Sequence, residues 1–357
     1  MRGFLYPLCQ NRSLGVLFRG HFGQRYMPDC LIGLGSNVGN RPENIRAAIA
    51  ALDVERQITV ARQSRYFETD SIGGPPDQPG FLNACIRLTT VLSPLALFEV
   101  LQAIERNIGQ RKTVRWGPRS LDLDLLLYDE QVVVEGGGTD ILDSTRLIVP
   151  HRRMSFRRFV LEPAAEVAPG MCHPTIGLTV GELLEHLNRT LPYVAMAVPL
   201  SVGYTPLAGE VSRRTGCHLI TMQKKIRQTS RQRIGRHDSK HRSEQQVSLL
   251  ESCTAVLCPE QLPNAPVISD FWFDTLLVNA QRTLDSSQLT EYEILWSEGR
   301  RQVVTPRLVV MISSAPSDAL DTALTKQAHG QGPLLVLDGT DFQQQCNEVE
   351  AALRACL

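Results

Sequence analysis

The sequence predicts two domains in tandem: a ferredoxin-like α+β sandwich over residues 29–190, and an α/β domain over 191–357. Three observations carry this. The chain has 357 residues, enough for two separate hydrophobic cores. Between 29 and 190 the apolar period switches in the order β-α-β-β-α-β, the order of the split βαβ sandwich. After Leu191, short apolar runs and amphipathic stretches alternate, as in a layered α/β domain.

Cys30-Leu31-Ile32-Gly33-Leu34-Gly35 reads as a short buried strand running into a glycine turn. Asn40 can cap the helix that follows, Pro42 suits its first turn, and Ile45, Ala48, Ile49 and Leu52 recur at helical spacing. A strand is expected over 57–67, a Gly/Pro/Asp-rich loop over 69–80 and a strand over 81–91. Ser93-Pro94 then opens a helix with Leu97, Phe98, Leu101, Ile104 and Ile108 on one face. Leu121, Leu123, Leu125 and Leu127 alternate with Asp122 and Asp124, the period of a half-buried strand. A hairpin near 131–149, a helical stretch over 151–161 and a helix over 179–187 complete the first domain. In the second, strands are expected at 193–200, 307–313 and 333–338, and helices over 270–301 and 342–355. Residues 251–266, with Pro259, Pro263 and Pro266, read as loop.

Composition narrows the function. Apolar residues make up 43% and charged residues 21%, the balance of a globular chain, and Lys+Arg equals Asp+Glu at 37 each. No overall field therefore favours nucleic acid or anionic lipid. The basic run over 224–242 lacks the interleaved aromatics that stack bases, so no nucleic-acid partner is expected. No apolar run approaches the ~18–20 residues needed to cross a bilayer. Nine scattered cysteines without a CxxC pair fit reduced thiols, and a cytoplasmic location is expected. Residues 1–28 hold Arg2, Arg12, Arg19 and Arg25 before the first acid, Asp29. That composition suits an organellar transit peptide, a disordered extension, or a segment upstream of a start at Met27; the last two are the simpler readings. The sequence gives no sign of oligomeric state.

The chemistry concentrates in Arg115-Trp116-Gly117-Pro118-Arg119-Ser120-Leu121-Asp122-Leu123-Asp124. Two residues apart on a strand, Asp122 and Asp124 leave the same face. Neighbouring carboxylates repel and are at ease together only beside a cation, typically Mg²⁺ with phosphate oxygens. Lys112, Arg115 and Arg119 lie just upstream and can neutralise a polyphosphate. Acids for a metal and bases for phosphates on one segment point to a nucleoside triphosphate.

This run resembles the signature of the pterin pyrophosphokinases of folate synthesis. So do three further segments in order: Gly33-Leu34-Gly35-Ser36-Asn37, the run 77–83 (DQPGFLN), and Val149-Pro150-His151 through the run 157–163 (RRFVLEP). The resemblance implies a pterin-pyrophosphokinase-type sandwich and transfer of pyrophosphate from ATP to 6-hydroxymethyl-7,8-dihydropterin, with AMP leaving. It implies Asp122 and Asp124 as ligands of two Mg²⁺ ions, with Arg119 beside them as a catalytic residue. Phe81 and Phe159 would sandwich the pterin, Asn83 would bond its edge, and Thr69 and Ile72 would offer backbone groups to it. Glu105, Lys112, Trp116, Arg119, Arg146, His151 and Arg157 would bind ATP. Gln110, Asp70-Ser71 and Arg152 depart from the family's usual residues, which implies altered rate or affinity and not loss of activity.

The second domain resembles, in patches, a deoxynucleoside kinase: the run 193–208, Val267 to Asp274, the run 306–316 and the last helix. A phosphate loop reads G-x-x-x-x-G-K-[ST]. Here Val198 stands for the first glycine and Tyr204 for the lysine, with Gly203 and Thr205 retained. A P-loop-kinase-like fold without its phosphate cradle is the expectation.

Overall fold

In this computed structural model the described residues are 27–75, 77–109, 117–135, 147–197, 205–222, 239–313, 319–337 and 341–357. They form two compact units. The first comprises residues up to 69, 79–151 and 163–180; the second comprises 70–78, 152–162 and 181–357.

In the first unit, β1 (Asp29–Ser36) leads to α1 (Arg41–Asp53), β2 (Ile58–Gln63), β3 (Phe67–Thr69), β4 (Phe81–Thr90), α2 (Pro94–Ile108) and β5 (Asp122–Tyr128). The main sheet runs β2-β4-β1-β5, with β3 also on β4, and every pair is antiparallel. Taken as first, second, third and fourth strands, the order 2-3-1-4 is that of the β-α-β-β-α-β sandwich. The expected strand over 57–67 is interrupted at 64–66, where Ser64 turns its hydroxyl to the Cys85 amide at 2.9 Å.

Local chemistry accounts for the helix ends. The Asn40 side chain accepts from the Glu43 amide at 3.3 Å, and Ser93 accepts from Ala96 at 3.2 Å. Ile45, Ala48 and Leu52 of α1, and Leu97, Leu101 and Ile104 of α2, are buried against Cys30, Ile32, Leu34, Ile86, Leu123 and Leu125. Each fully buried Leu or Ile contributes about 1.5–3 kcal/mol, so this single face secures the sheet. The opposite face carries Asp122, Asp124 and Asn83, with Leu31, Cys85 and Leu127 also buried on it.

The unit continues with β6 (Val133–Glu135) paired to β7 (Leu147–Val149), then β8 (Cys172–His173) paired to β9 (Leu178–Thr179). A 3-10 turn (Met154–Phe156), the start of α3 (Arg158–Val167) and most of α4 (Val180–Arg189) belong to the second unit.

The second unit is built on β10 (Tyr193–Ala197), α5 (Thr205–Thr215), β11 (His218–Ile220), α6 (Ser239–Leu257), β12 (Val267–Ser269), α7 (Thr275–Thr283), α8 (Ser286–Gln302), β13 (Leu308–Ile312), α9 (Ala319–Ala328), β14 (Leu334–Leu337) and α10 (Phe342–Cys356). Its sheet is parallel throughout, in the order β11-β12-β10-β13-β14, and all five residues of β10 are buried. One expectation is corrected: residues 251–257 are the end of α6, not loop. The helical region expected over 270–301 is present as α7 and α8. Val198, Gly203 and Tyr204 lie outside the described residues, as do 224–238 of the basic run. Among the described residues no helix is long and apolar enough to cross a membrane.

Candidate active site

The site is assembled by strand register on the polar face of the first unit's sheet. Gly35 of β1 stands opposite Asp122 on one side and Asn83 on the other; Gly33 stands likewise opposite Asp124 and Cys85. Phe67 is opposite Asn83, and Thr69 is opposite Phe81. Directly opposed residues of antiparallel strands share a face. One row therefore reads Asp122, Gly35, Asn83, Phe67, and the next reads Asp124, Gly33, Cys85. The two glycines leave bare backbone between the carboxylates and the β4 side chains. A Cβ on Gly35 would come within 3.5 Å of Asn83 Oδ1 and 3.6 Å of Phe81 Cδ1, so these side chains lean over it.

The carboxylates differ in their partners. Arg119 Nη1 donates to Asp122 Oδ1 in a close ion pair. Burial opposes the charge of Arg119, but Asp122, and behind it Asp124 and Glu105, hold its pKa above the ordinary guanidinium value. The 35% exposure of the Asp124 side chain leaves it open to a cation, and His151 Nε2 stands 3.9 Å from its Oδ2. That histidine is placed by a bulge. The β1–β5 register slips between Leu31 and Ile32, which leaves Leu126 as the extra residue. Its carbonyl takes the His151 amide at 2.9 Å. Glu105 Oε1 accepts the Leu123 amide at 2.7 Å, fixing the strand between the two aspartates.

Asn37 joins both ends of the row, a role the sequence motif does not reveal. Its Oδ1 accepts the Arg119 amide at 2.7 Å, its own amide donates to Arg119 O at 3.0 Å, and its Nδ2 donates to Pro79 O at 3.3 Å. It is 1% exposed. Asn44 supports it by donating to Ser120 O and Val38 O at 2.9 and 3.0 Å, and Arg41 Nη1 holds Gly80 O at 2.7 Å.

Asn83, 7% exposed, donates through Nδ2 to Thr69 Oγ1 at 2.8 Å. That bond orients the amide and leaves its second N–H and its oxygen for a ligand edge. Cys85 is buried, and burial followed by the charge of Asp124 pushes its thiol pKa up, so it stays protonated and is no nucleophile.

The remaining expected residues lie in the second unit or outside the described residues. Ile72, Arg157 and Phe159 belong to the second unit. Ile72 precedes Gly73 and Gly74, both at left-handed φ of 77° and 78°, and Gln78 Nε2 closes that loop on Gly73 O at 3.1 Å. The Arg157 guanidinium lies over the Phe159 ring, 5.4 Å from its centre. Lys112, Trp116 and Arg146 lie outside the described residues.

The donor set fits magnesium. Among the described residues no group of three or more His, Cys, Asp or Glu forms a metal cage. Two carboxylates on an open face are what Mg²⁺ takes when phosphate and water complete its shell.

Residues 31–169 match the family of 7,8-dihydro-6-hydroxymethylpterin-pyrophosphokinase. Three curated relatives carry the name 2-amino-4-hydroxy-6-hydroxymethyldihydropteridine pyrophosphokinase. That of Synechocystis is 38% identical over 160 residues, 45% of this chain and 76% of the relative. The Bacillus subtilis protein is 42% identical over 136 residues (38% and 75%), and the Pseudomonas aeruginosa protein is 42% identical over 153 residues (43% and 88%). With the paired aspartates, the arginine beside them and at least three quarters of each relative covered, the chain belongs to the 7,8-dihydro-6-hydroxymethylpterin-pyrophosphokinase family.

Proposed function

We infer that this chain transfers pyrophosphate from ATP to 6-hydroxymethyl-7,8-dihydropterin, giving the pterin diphosphate and AMP in folate biosynthesis. The observation that carries this is the row in which Asp122 and Asn83 flank the bare backbone of Gly35. A substrate laid along it has its phosphate end at a carboxylate and its ring edge at an amide, two strand spacings or about 10 Å apart.

In the reaction the pterin hydroxymethyl oxygen attacks the β-phosphorus of ATP, and AMP departs from the opposite side. Such a displacement asks the protein for alignment and charge neutralisation. Asp122 and Asp124 would hold two Mg²⁺ ions, which would supply positive charge to offset that of the triphosphate. Arg119, paired to Asp122, is near enough to share its charge with incoming phosphate. Asn37 keeps that arginine's backbone in register with Pro79 at the start of the pterin segment. His151, beside Asp124, can donate to a phosphate oxygen. Phe81 offers one ring face to the pterin, while Asn83 and Thr69 serve its edge. Arg157, Lys112, Trp116 and Arg146 complete the set proposed for ATP, with Glu105 bracing β5. Ile72 and Phe159 complete the set for the pterin.

The test is AMP release from ATP with and without hydroxymethyl-dihydropterin, in the native chain and in Asp122→Asn and Asp124→Asn. Turnover should require the pterin and fall by roughly 10²–10³-fold in either variant, the scale of removing a preorganised charge-stabilising group. Near-native turnover in either would refute the metal assignment.

For 191–357 we propose a deoxynucleoside-kinase-like α/β fold whose phosphate loop no longer binds nucleotide. The all-parallel sheet with β10 at its centre, running on to α5, supports the fold. The residues Val198 and Tyr204 support the loss. A cytoplasmic location is supported by the absence of any disulfide among the described cysteines.

A further inference from the structure

The segment that directly follows His151 is folded into the C-terminal unit. Met154, Ser155 and Phe156 are fully buried there. Arg152 Nη2 donates to Val336 O of β14 at 2.9 Å, and Arg158 Nη1 donates to Asn188 Oδ1 at 2.7 Å. Between them Arg153 grips Glu348 of α10 with two bonds, Nε to Oε2 at 3.0 Å and Nη2 to Oε1 at 2.7 Å.

Glu348 is unusual for its place. Its side chain is 6% exposed, on a helix face otherwise buried through Cys346, Val349, Ala352 and Leu353. A carboxylate at that depth is costly unless a cation meets it, and parallel two-point pairing is the geometry that satisfies it best. Apolar packing alone would hold α10 without a charge here. What the pair adds is register: only one placement of the 152–159 segment meets the fork. Arg157 and Phe159 follow four and six residues after Arg153. Glu348 lies outside residues 31–169, which the family match covers.

We propose that Arg153 and Glu348 are positioning residues for pyrophosphoryl transfer. Their ion pair sets the segment carrying Arg157 and Phe159. This rests on the roles given above to Arg157 and Phe159.

The test uses the full chain. Glu348→Gln and Arg153→Lys each lose the two-point bond, Arg153→Glu/Glu348→Arg restores it reversed, and Glu350→Gln is the control. Glu350 shares α10 but, among the described residues, pairs with Arg354 at 2.8 Å and Arg214 at 3.9 Å. Thermal melts choose an assay temperature at which every variant is folded. In Glu348→Gln and Arg153→Lys, KM for ATP or the pterin should rise roughly 2- to 30-fold, the range for residues that act without touching ligand. kcat should change less, the double variant should recover most of the loss, and Glu350→Gln should match the native chain. Unchanged KM in folded Glu348→Gln and Arg153→Lys overturns the proposal, as does an equal rise in Glu350→Gln. Arg157→Ala and Phe159→Ala separate the two levels: raised KM there with unaffected Glu348→Gln removes the positioning role alone. Unchanged KM in Arg157→Ala and Phe159→Ala removes the reading beneath it.

Discussion

Acid should unfold the first unit partly through one residue, His173. The ring is 6% exposed, and its Nδ1 accepts the Ile176 amide at 3.3 Å, so the fold holds the neutral form. Burial lowers its pKa from 6.5 to about 4. Between those values the unfolded chain binds a proton that the folded chain refuses, so stability rises with pH across this window. The contribution is complete above pH 6.5 and is lost progressively as pH falls towards 4. At pH 5 the unfolded chain gains a binding factor of about 33 and the folded chain about 1.1, a loss of about 2 kcal/mol relative to pH 7.5. The assay is urea unfolding at pH 5.0 and 7.5, followed by near-ultraviolet circular dichroism, for the native chain and His173→Asn. Asparagine keeps an acceptor for the Ile176 amide but does not titrate. Other groups contribute equally to both proteins, so the difference of differences isolates His173. It should be about 2 kcal/mol; a pH slope identical in the two proteins would refute the reasoning.

Three further outcomes follow from the site. Phe81→Ala should weaken pterin binding by about 1–3 kcal/mol, by loss of ring contact, with ATP binding little changed; fluorescence titration with the pterin checks this. Gly35→Ala should be tolerated, because its Cβ meets Asn83 and Phe81 at ordinary contact distance, whereas the γ-methyls of Gly35→Val should fill the row. The valine variant should lose about 1–3 kcal/mol of pterin binding while its Tm stays near native, read by paired titration and melting. Calorimetry of the full chain should count one Mg-ATP per chain and none in Asp122→Ala/Asp124→Ala; residual binding in the double variant would mean that the C-terminal sheet retains a nucleotide site.

Much of this was legible in the residues because the signals are local. The alternation puts Asp122 and Asp124 on the face away from Leu123 and Leu125, and the structure has them there; it ends at the Leu126 bulge, which turns Leu127 to the other face. Asn40 and Ser93 cap the helices they announce. What was illegible depends on distant partners. Nothing in Leu125-Leu126-Leu127 marks the bulge whose carbonyl fixes His151, since three leucines look regular and the slip is decided by β1. Asn37 carries no sign that it will bond Arg119 and Pro79. The run 152–162 lies with the C-terminal unit through pairs such as Arg153 with Glu348, 195 residues apart. The end of α6 is obscured for another reason. Leu249, Cys253 and Leu257 recur every four residues and are buried, but Pro259, Pro263 and Pro266 give 251–266 the composition of a loop.

With the ring edge at Asn83 and the phosphate end at Asp122, as proposed, the bare row across Gly35 would work as a gauge. Its length is set by two ladders of backbone hydrogen bonds, which neither rotamer changes nor core substitutions alter much. Selection by such a gauge acts on molecular span before it acts on chemistry. An alcohol whose arm is one methylene longer would carry its oxygen past the carboxylates even with its ring seated on Asn83. Lengthening the tolerated arm would require a strand to be re-registered, a far larger change than any single side chain. Discrimination by arm length should therefore survive substitutions that relax recognition of the ring, and inhibitors that join ring and phosphate mimics should show a sharp optimum in linker length.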